Sequence, residues 1–164
     1  MCKPPQKKTI EIAYSEYSGI DHLPADLQQL LTLAYKETHN AYAPYSKFQV
    51  GAALRLSDGA VIPGSNQENA SYPAGLCAER VALFSAAGSH PGKTIEWLAV
   101  TAKNKTNSVV DPVFPCGFCL QVMVEMERKQ NRPIQLIIGQ PDTRILVFDS
   151  SYQLLPFAFN ADQL

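Results

Sequence analysis

A chain of 164 residues, 46% apolar and 18% charged, is long enough for one domain with a real core and short for two. A formal net charge of −1 leaves no basic excess for gripping a phosphate backbone, which argues against a nucleic-acid partner. No apolar run approaches the roughly 20 residues of a membrane span, and the polar start "MCKPPQKKTI" lacks the apolar block of a signal peptide. The expectation is a cytoplasmic protein with no membrane partner. In that setting Cys2, Cys77, Cys116 and Cys119 point to a metal or catalysis rather than to structural disulfides.

In chain order, residues 1–22 read as a loose arm with a short edge strand at "TIEIAY". A first helix follows, with Pro24 at its first position and Leu27, Leu30, Leu31 and Ala34 on one face; it fades near "NAYAPYS", where Pro44 biases Ala43 away from helix. "FQVGAALRL" alternates as a strand, "SDG" turns, and "AVIPGSNQEN" returns antiparallel. Pro63 marks that second strand as an edge or a bulge. A second helix is expected from near Cys77 to about Ala87, stopping at Gly88. "EWLAVTA" is apolar on both faces, as in a central strand covered on each side. After a polar loop over 103–115, a third helix starts around Cys116 and ends before "NRP". "IQLIIG" and "RILVFD" are separated only by "QPDT", too short for a crossover, and so should pair antiparallel. The sum is an α/β fold, a three-layer α-β-α sandwich around a mixed five-stranded sheet, with residues 23–164 as a single domain.

"PCGFC" places Cys116 and Cys119 three apart in a first helical turn, close enough to share a metal ion. Cys77 opens another helix. Helix N-termini favour thiolates, and three protein ligands leave the open fourth position of a catalytic zinc. A lone CxxC also fits a redox dithiol, but that reading gives Cys77 and Glu79 no task. A structural zinc would want a fourth ligand, and Cys2 on the arm is a poor one. His22, His39 and His90 all stand away from these motifs. Glu79, two residues after Cys77, is off the ligand face. It is placed to move a proton to or from a water beside the metal, as a general acid–base. The alternative, a solvated first-turn glutamate, fits poorly with the buried character of "VALFSAA" after it.

"CAE" followed by "PCGFC" is the three-cysteine form of a signature shared by zinc deaminases. With "YAPYSKFQVGAAL", "GSNQENASYPAGLCAER", "PCGFCLQV" and "LLPFAF" in order, the sequence resembles the cytidine deaminases, specifically the small homotetrameric nucleoside deaminases, from about Tyr42 to the C-terminus. The resemblance implies zinc on Cys77, Cys116 and Cys119, and Glu79 as the proton shuttle in hydrolysis of cytidine or 2′-deoxycytidine to the uracil nucleoside and ammonia. It implies that Asn66 and Glu68 bind the sugar 3′-hydroxyl, and that Ala70 and Tyr72 approach the 5′-hydroxyl from a neighbouring subunit. Phe48 would lie beside the nucleoside, and Phe159 would stack on the base from another subunit. Backbone groups around Ala78 would read the cytosine edge. On their own residue types, Asn66 and Glu68 are strand-end polar residues, and Phe48 and Phe159 are core or interface aromatics.

Three thiolates around one zinc leave a net negative site, and Arg80 can offset part of that charge by donating to sulfur. Many relatives carry a second arginine directly after the last cysteine; here it is Leu120, with Gln121 retained. Deamination of another amino-heterocycle, a nucleic-acid-editing activity and a non-catalytic zinc domain are the rival readings. The Asn66–Glu68 pair, the absence of a basic excess and the retention of Glu79 weigh against them in turn.

Overall fold

The computed structural model describes residues 5–104 and 112–164, the side chain of Asn104 excepted. Cys2 and most of the 103–115 loop lie outside the described residues. Among the described residues six strands form one sheet: β1 (Ser15–Tyr17), β2 (Phe48–Leu56), β3 (Val61–Ser65), β4 (Ile95–Asn104), β5 (Gln135–Gly139) and β6 (Ile145–Phe148), in the order β1-β6-β5-β4-β2-β3. Helix α1 (Ala25–Glu37) covers one face; α2 (Ala78–Ser89) and α3 (Gly117–Gln130) cover the other. The α-β-α sandwich is as expected.

Two details correct the sequence reading. The sheet has six strands rather than five, because a stretch of the arm joins it. The paired segment is Ser15–Tyr17, antiparallel to β6 through Ser15↔Val147, Glu16↔Leu146 and Tyr17↔Ile145, and not the alternating "TIEIAY" before it. The register is fixed from beyond the strand, where the backbone N–H of Ile20 donates to the carbonyl of Pro141 in the β5–β6 turn, at 3.0 Å. The second correction concerns α2, which passes through Gly88 and ends at Ser89. Gly92, with φ 80°, makes the left-handed turn instead.

Helix α1 buries Leu27, Leu30, Leu31 and Ala34 against the sheet, the stripe its spacing predicts. Fully burying a leucine such as Leu31 contributes about 1.5–3 kcal/mol. Pro24 is its N-cap residue, and a single turn of 3-10 helix, Thr38–Asn40, ends it ahead of Pro44. Pro63 sits on β3, at the sheet edge. Strand β4 is central, antiparallel to β2 and parallel to β5.

This topology builds the site. Strands β3 and β4 are both antiparallel to β2, so they run parallel to each other, and α2 is the crossover between them. Helix α3 is the crossover between the parallel strands β4 and β5. Crossovers of one hand place both helices on one face. Their N-termini therefore meet beyond the carboxyl ends of β3 and β4, where open α/β sheets bind ligands. The chain after β6 is tied to α3 by the buried Glu127. Its carboxylate accepts from the N–H groups of Ile134 (3.0 Å) and Ser151 (2.7 Å) and from the hydroxyls of Ser150 (2.7 Å) and Ser151 (2.8 Å). Further along, Gln121 Nε2 donates to the Phe159 carbonyl at 2.7 Å and Arg128 pairs with Asp162.

Candidate active site

Cys77 is the N-cap residue of α2, Cys116 is that of α3, and Cys119 is the third residue of α3. Their sulfurs lie within 4.8 Å of one another, with Cys77–Cys116 at 3.9 Å and Cys116–Cys119 at 3.5 Å. None is in a disulfide. Among the described residues this is the one group of three or more potential ligands that converges so closely. Both helices begin with backbone N–H groups that have no partner inside the helix, and the partial positive charge there suits anionic sulfur. Three soft donors at this spacing fit one tetrahedral metal with a fourth position left open, the arrangement of a catalytic zinc.

The charges reinforce one another. The Cys77 thiol is pulled down to about 5. A hydrogen bond from Cys119 does most of this, working against partial burial and helped by Arg80 and Cys116. Cys119 is pushed up by giving that hydrogen bond, by burial and by the nearby Glu79 carboxylate. Arg80 Nη2 lies 3.9 Å from Cys77 Sγ. Burial disfavours the guanidinium charge, but that contact and the sulfur charges more than restore it. Arg80 Nε is buried and has no hydrogen-bond partner among the described residues. Leu120 is buried in the core cluster with residues of both helices. It offers the sulfurs no charge, so Arg80 is the cation at the cluster.

Glu79, the second residue of α2, is 4% exposed and lines a cavity of about 610 Å³ with Cys77, Arg80 and Cys116. Burial raises its proton affinity above the ordinary carboxylate range, and the Cys77 charge adds to this. The turn is set by close packing: a Cβ at Gly64 on β3 would lie 2.4 Å from the Ala78 carbonyl oxygen and 2.7 Å from the Ala82 nitrogen. Only glycine lets β3 run so near the helix.

Phe48, Asn66, Glu68 and Tyr72 line the same cavity. The segment 66–68 lines it and is paired on both sides, to Tyr42 and to Leu76. Asn66 does more than point at the cavity. Its Oδ1 accepts from the Val50 N–H at 2.8 Å and its Nδ2 donates to the Phe48 carbonyl at 3.0 Å, so the amide continues the β2–β3 ladder as a surrogate peptide. One acceptor site and one donor on that amide are left over. Glu68 clasps the "YAPYSK" turn. Its carboxylate accepts from the N–H groups of Tyr45 (2.9 Å) and Ser46 (3.3 Å) and from the Ser46 hydroxyl, and that hydroxyl above all holds it below its ordinary value.

The remaining expected residues differ in their exposure. Ala78, the first residue of α2, is fully buried. Ala70 is exposed, and Phe159, 56% exposed, stands outside the cavity lining. Tyr72 is 79% exposed at the rim. The sequence reading missed Ser46, Val113 and Phe114, all on the cavity wall. The last two immediately precede "PCGFC", a signal that their proximity to Cys116 could have supplied.

Comparison with known proteins agrees with this geometry. Residues 24–131 match the sequence profile of a family described as the cytidine and deoxycytidylate deaminase zinc-binding region. A cytidine deaminase of Halalkalibacterium halodurans is 42% identical over 139 residues, covering 85% of this chain and 98% of that protein. The crystal structure of cytidine deaminase from Burkholderia pseudomallei, 40% identical, superposes with a TM-score of 0.69 over 80% of this chain and 97% of that one. That of the Mycobacterium tuberculosis cytidine deaminase, 31% identical, gives 0.63 over 84% and 99%. The chain belongs to the cytidine and deoxycytidylate deaminase family.

Proposed function

We propose that this protein is a zinc-dependent cytidine deaminase that hydrolyses cytidine and 2′-deoxycytidine to uridine and 2′-deoxyuridine with release of ammonia. The observation that carries the reading is the junction of two helix N-termini. Three convergent sulfurs lie there beside a buried carboxylate that lines a nucleoside-sized cavity. Zinc on Cys77, Cys116 and Cys119 would supply Lewis-acid activation of the attacking water. Glu79 takes the water's proton as oxygen adds to carbon 4 of the ring. It gives that proton to ring nitrogen 3, then takes the proton of the hydroxyl now on carbon 4 and passes it to the departing amine, so that water and nucleoside become the uracil nucleoside and ammonia. Its burial suits this work, because a carboxyl group with raised proton affinity can hold a proton between the two transfers. Arg80 offsets the sulfur charge through its contact with Cys77.

Asn66 and Glu68 hold the ribose 3′-hydroxyl with the capacity left after their strand and turn contacts, and Phe48 packs beside the sugar and base. Backbone groups at Ala78 read the amino edge of the ring. Ala70, Tyr72 and Phe159, exposed in one chain, serve a neighbouring subunit of a homotetramer. We assign catalysis to residues 23–164 and expect a cytoplasmic enzyme. No helix among the described residues is long and apolar enough to cross a membrane. The test is loss of cytidine absorbance on incubation, with zinc measured on the same sample. Glu79→Gln should keep its zinc and lose at least about 100-fold in kcat. Full activity in that variant would overturn the mechanism, and sedimentation tests the tetramer.

A further inference from the structure

The arm ahead of α1 precedes residue 24, where the family match begins. It nevertheless reaches the cavity wall through a line of aromatic rings. Tyr14 lies with its ring centroid 5.6 Å from that of Phe148, tilted by 35°. Phe148, a buried core residue at the end of β6, meets Phe114 edge-on at 6.2 Å. Phe114 lines the cavity two residues before Cys116. The near end of the line is fixed. Gln153 Nε2 donates to the Ala13 carbonyl at 2.8 Å, while its Oε1 accepts from the Asp149 N–H at 2.8 Å. Strand β1 is laddered to β6 directly after Tyr14.

We propose that Tyr14 is a positioning residue for the nucleoside, acting through Phe148 to hold Phe114 in the wall against which substrate packs. The inference rests on the deaminase reading above. Removing the Tyr14 ring uncovers one side of Phe148 and lets Phe114 give way. An offset or edge-on aromatic pair is worth about two- to tenfold in an equilibrium constant beyond its buried area. The loss falls on substrate binding, because Glu79 and the sulfurs are held separately by the starts of α2 and α3.

The experiment uses the full chain and compares wild type with Tyr14→Ala, Tyr14→Phe and Ile12→Ala. Cytidine kinetics, zinc content and melting temperature are measured on each. KM should rise about two- to tenfold in Tyr14→Ala with kcat and zinc unchanged. Tyr14→Phe, which keeps the ring, should restore wild-type KM, and Ile12→Ala, exposed on the same arm, should match wild type. In a double-mutant cycle, adding Tyr14→Ala to Phe114→Ala should raise KM no further. A wild-type KM in Tyr14→Ala overturns the inference, as does full additivity with Phe114→Ala or a loss confined to kcat and zinc. Should Tyr14→Ala be recovered unfolded, Tyr14→Leu carries the same comparison. A wild-type protein without deaminase activity sinks the functional reading itself; an active one whose KM ignores Tyr14 sinks only this proposal.

Discussion

Gly64→Ala should separate catalysis from gross stability. The added methyl carbon would sit 2.4 Å from the Ala78 carbonyl oxygen and 2.7 Å from the Ala82 nitrogen, the two atoms an α-helix pairs across one turn. Ordinary contact begins near 3.4 Å, so the first turn of α2 must retreat by about 1 Å, a misplacement that costs on the order of 100-fold in rate. Overpacking of this kind destabilises by about 1–3 kcal/mol, and each kcal/mol lowers Tm by about 2–4 °C in a domain of this size. Because Cys77 and Glu79 ride on that turn, kcat should fall far more than the folded fraction at assay temperature. Gly88→Ala is the control. It lies in the same helix with nothing within 4 Å of its would-be Cβ, and should be neutral or stabilising by up to about 1 kcal/mol. Steady-state kinetics and thermal melting on both variants decide the matter. Wild-type kcat in a folded Gly64→Ala protein would refute the view that close approach of β3 sets the position of Glu79.

Arg80→Gln removes the cation at the sulfur cluster and should lower turnover more than it lowers zinc content; unchanged turnover in a fully loaded variant would discard the charge-balancing role. Asn66→Ala breaks two ladder-like hydrogen bonds to β2, each worth about 0.5–1.5 kcal/mol. It should therefore lower Tm as well as raise KM, whereas an effect on KM alone would contradict the surrogate-peptide assignment. The Glu68 carboxylate is held below its ordinary value chiefly by Ser46, so its stabilising contribution is present above the unfolded value of about 4.3 and lost as pH falls through the lower folded one. The stability difference between wild type and Glu68→Gln, measured by denaturant titration, should therefore shrink on acidification. A difference that grew instead would reverse the assignment.

The convergence of the three cysteines beside Glu79 was legible because metal chemistry restricts residue type and spacing together. Cys116 and Cys119 three apart, with Cys77 and Glu79 two apart, leave few alternatives once both pairs open helices. The helices of the sandwich were legible from apolar spacing, as with Leu27, Leu30, Leu31 and Ala34. Strand β1 was not, because "SEY" has no strand pattern of its own; β6 and the hook at Ile20 select it, while the better-patterned Ile10 and Ile12 stay unpaired. The end of α2 was misread at Gly88 because a glycine can lie inside a helix where another, Gly92, takes the left-handed turn. The contacts of Asn66 and Glu68 with their own strand and turn were also hidden, since they join segments some 16 to 23 positions apart. Phe114 offered only its position, two residues before Cys116, and no reactive group of its own.

The sixth strand has a consequence for handling the protein. A sheet whose outermost strand presents unpaired N–H and C=O groups is a template for edge-to-edge aggregation, and short strands and prolines blunt it. Here one edge is β3 with Pro63, and the other is β1, only three residues long. Without the arm, the outer strand would be β6, whose four residues Ile145–Phe148 are apolar throughout. A version trimmed past Tyr17 should therefore self-associate as its concentration rises, and the arm doubles as a solubility device that no inspection of the catalytic residues would suggest.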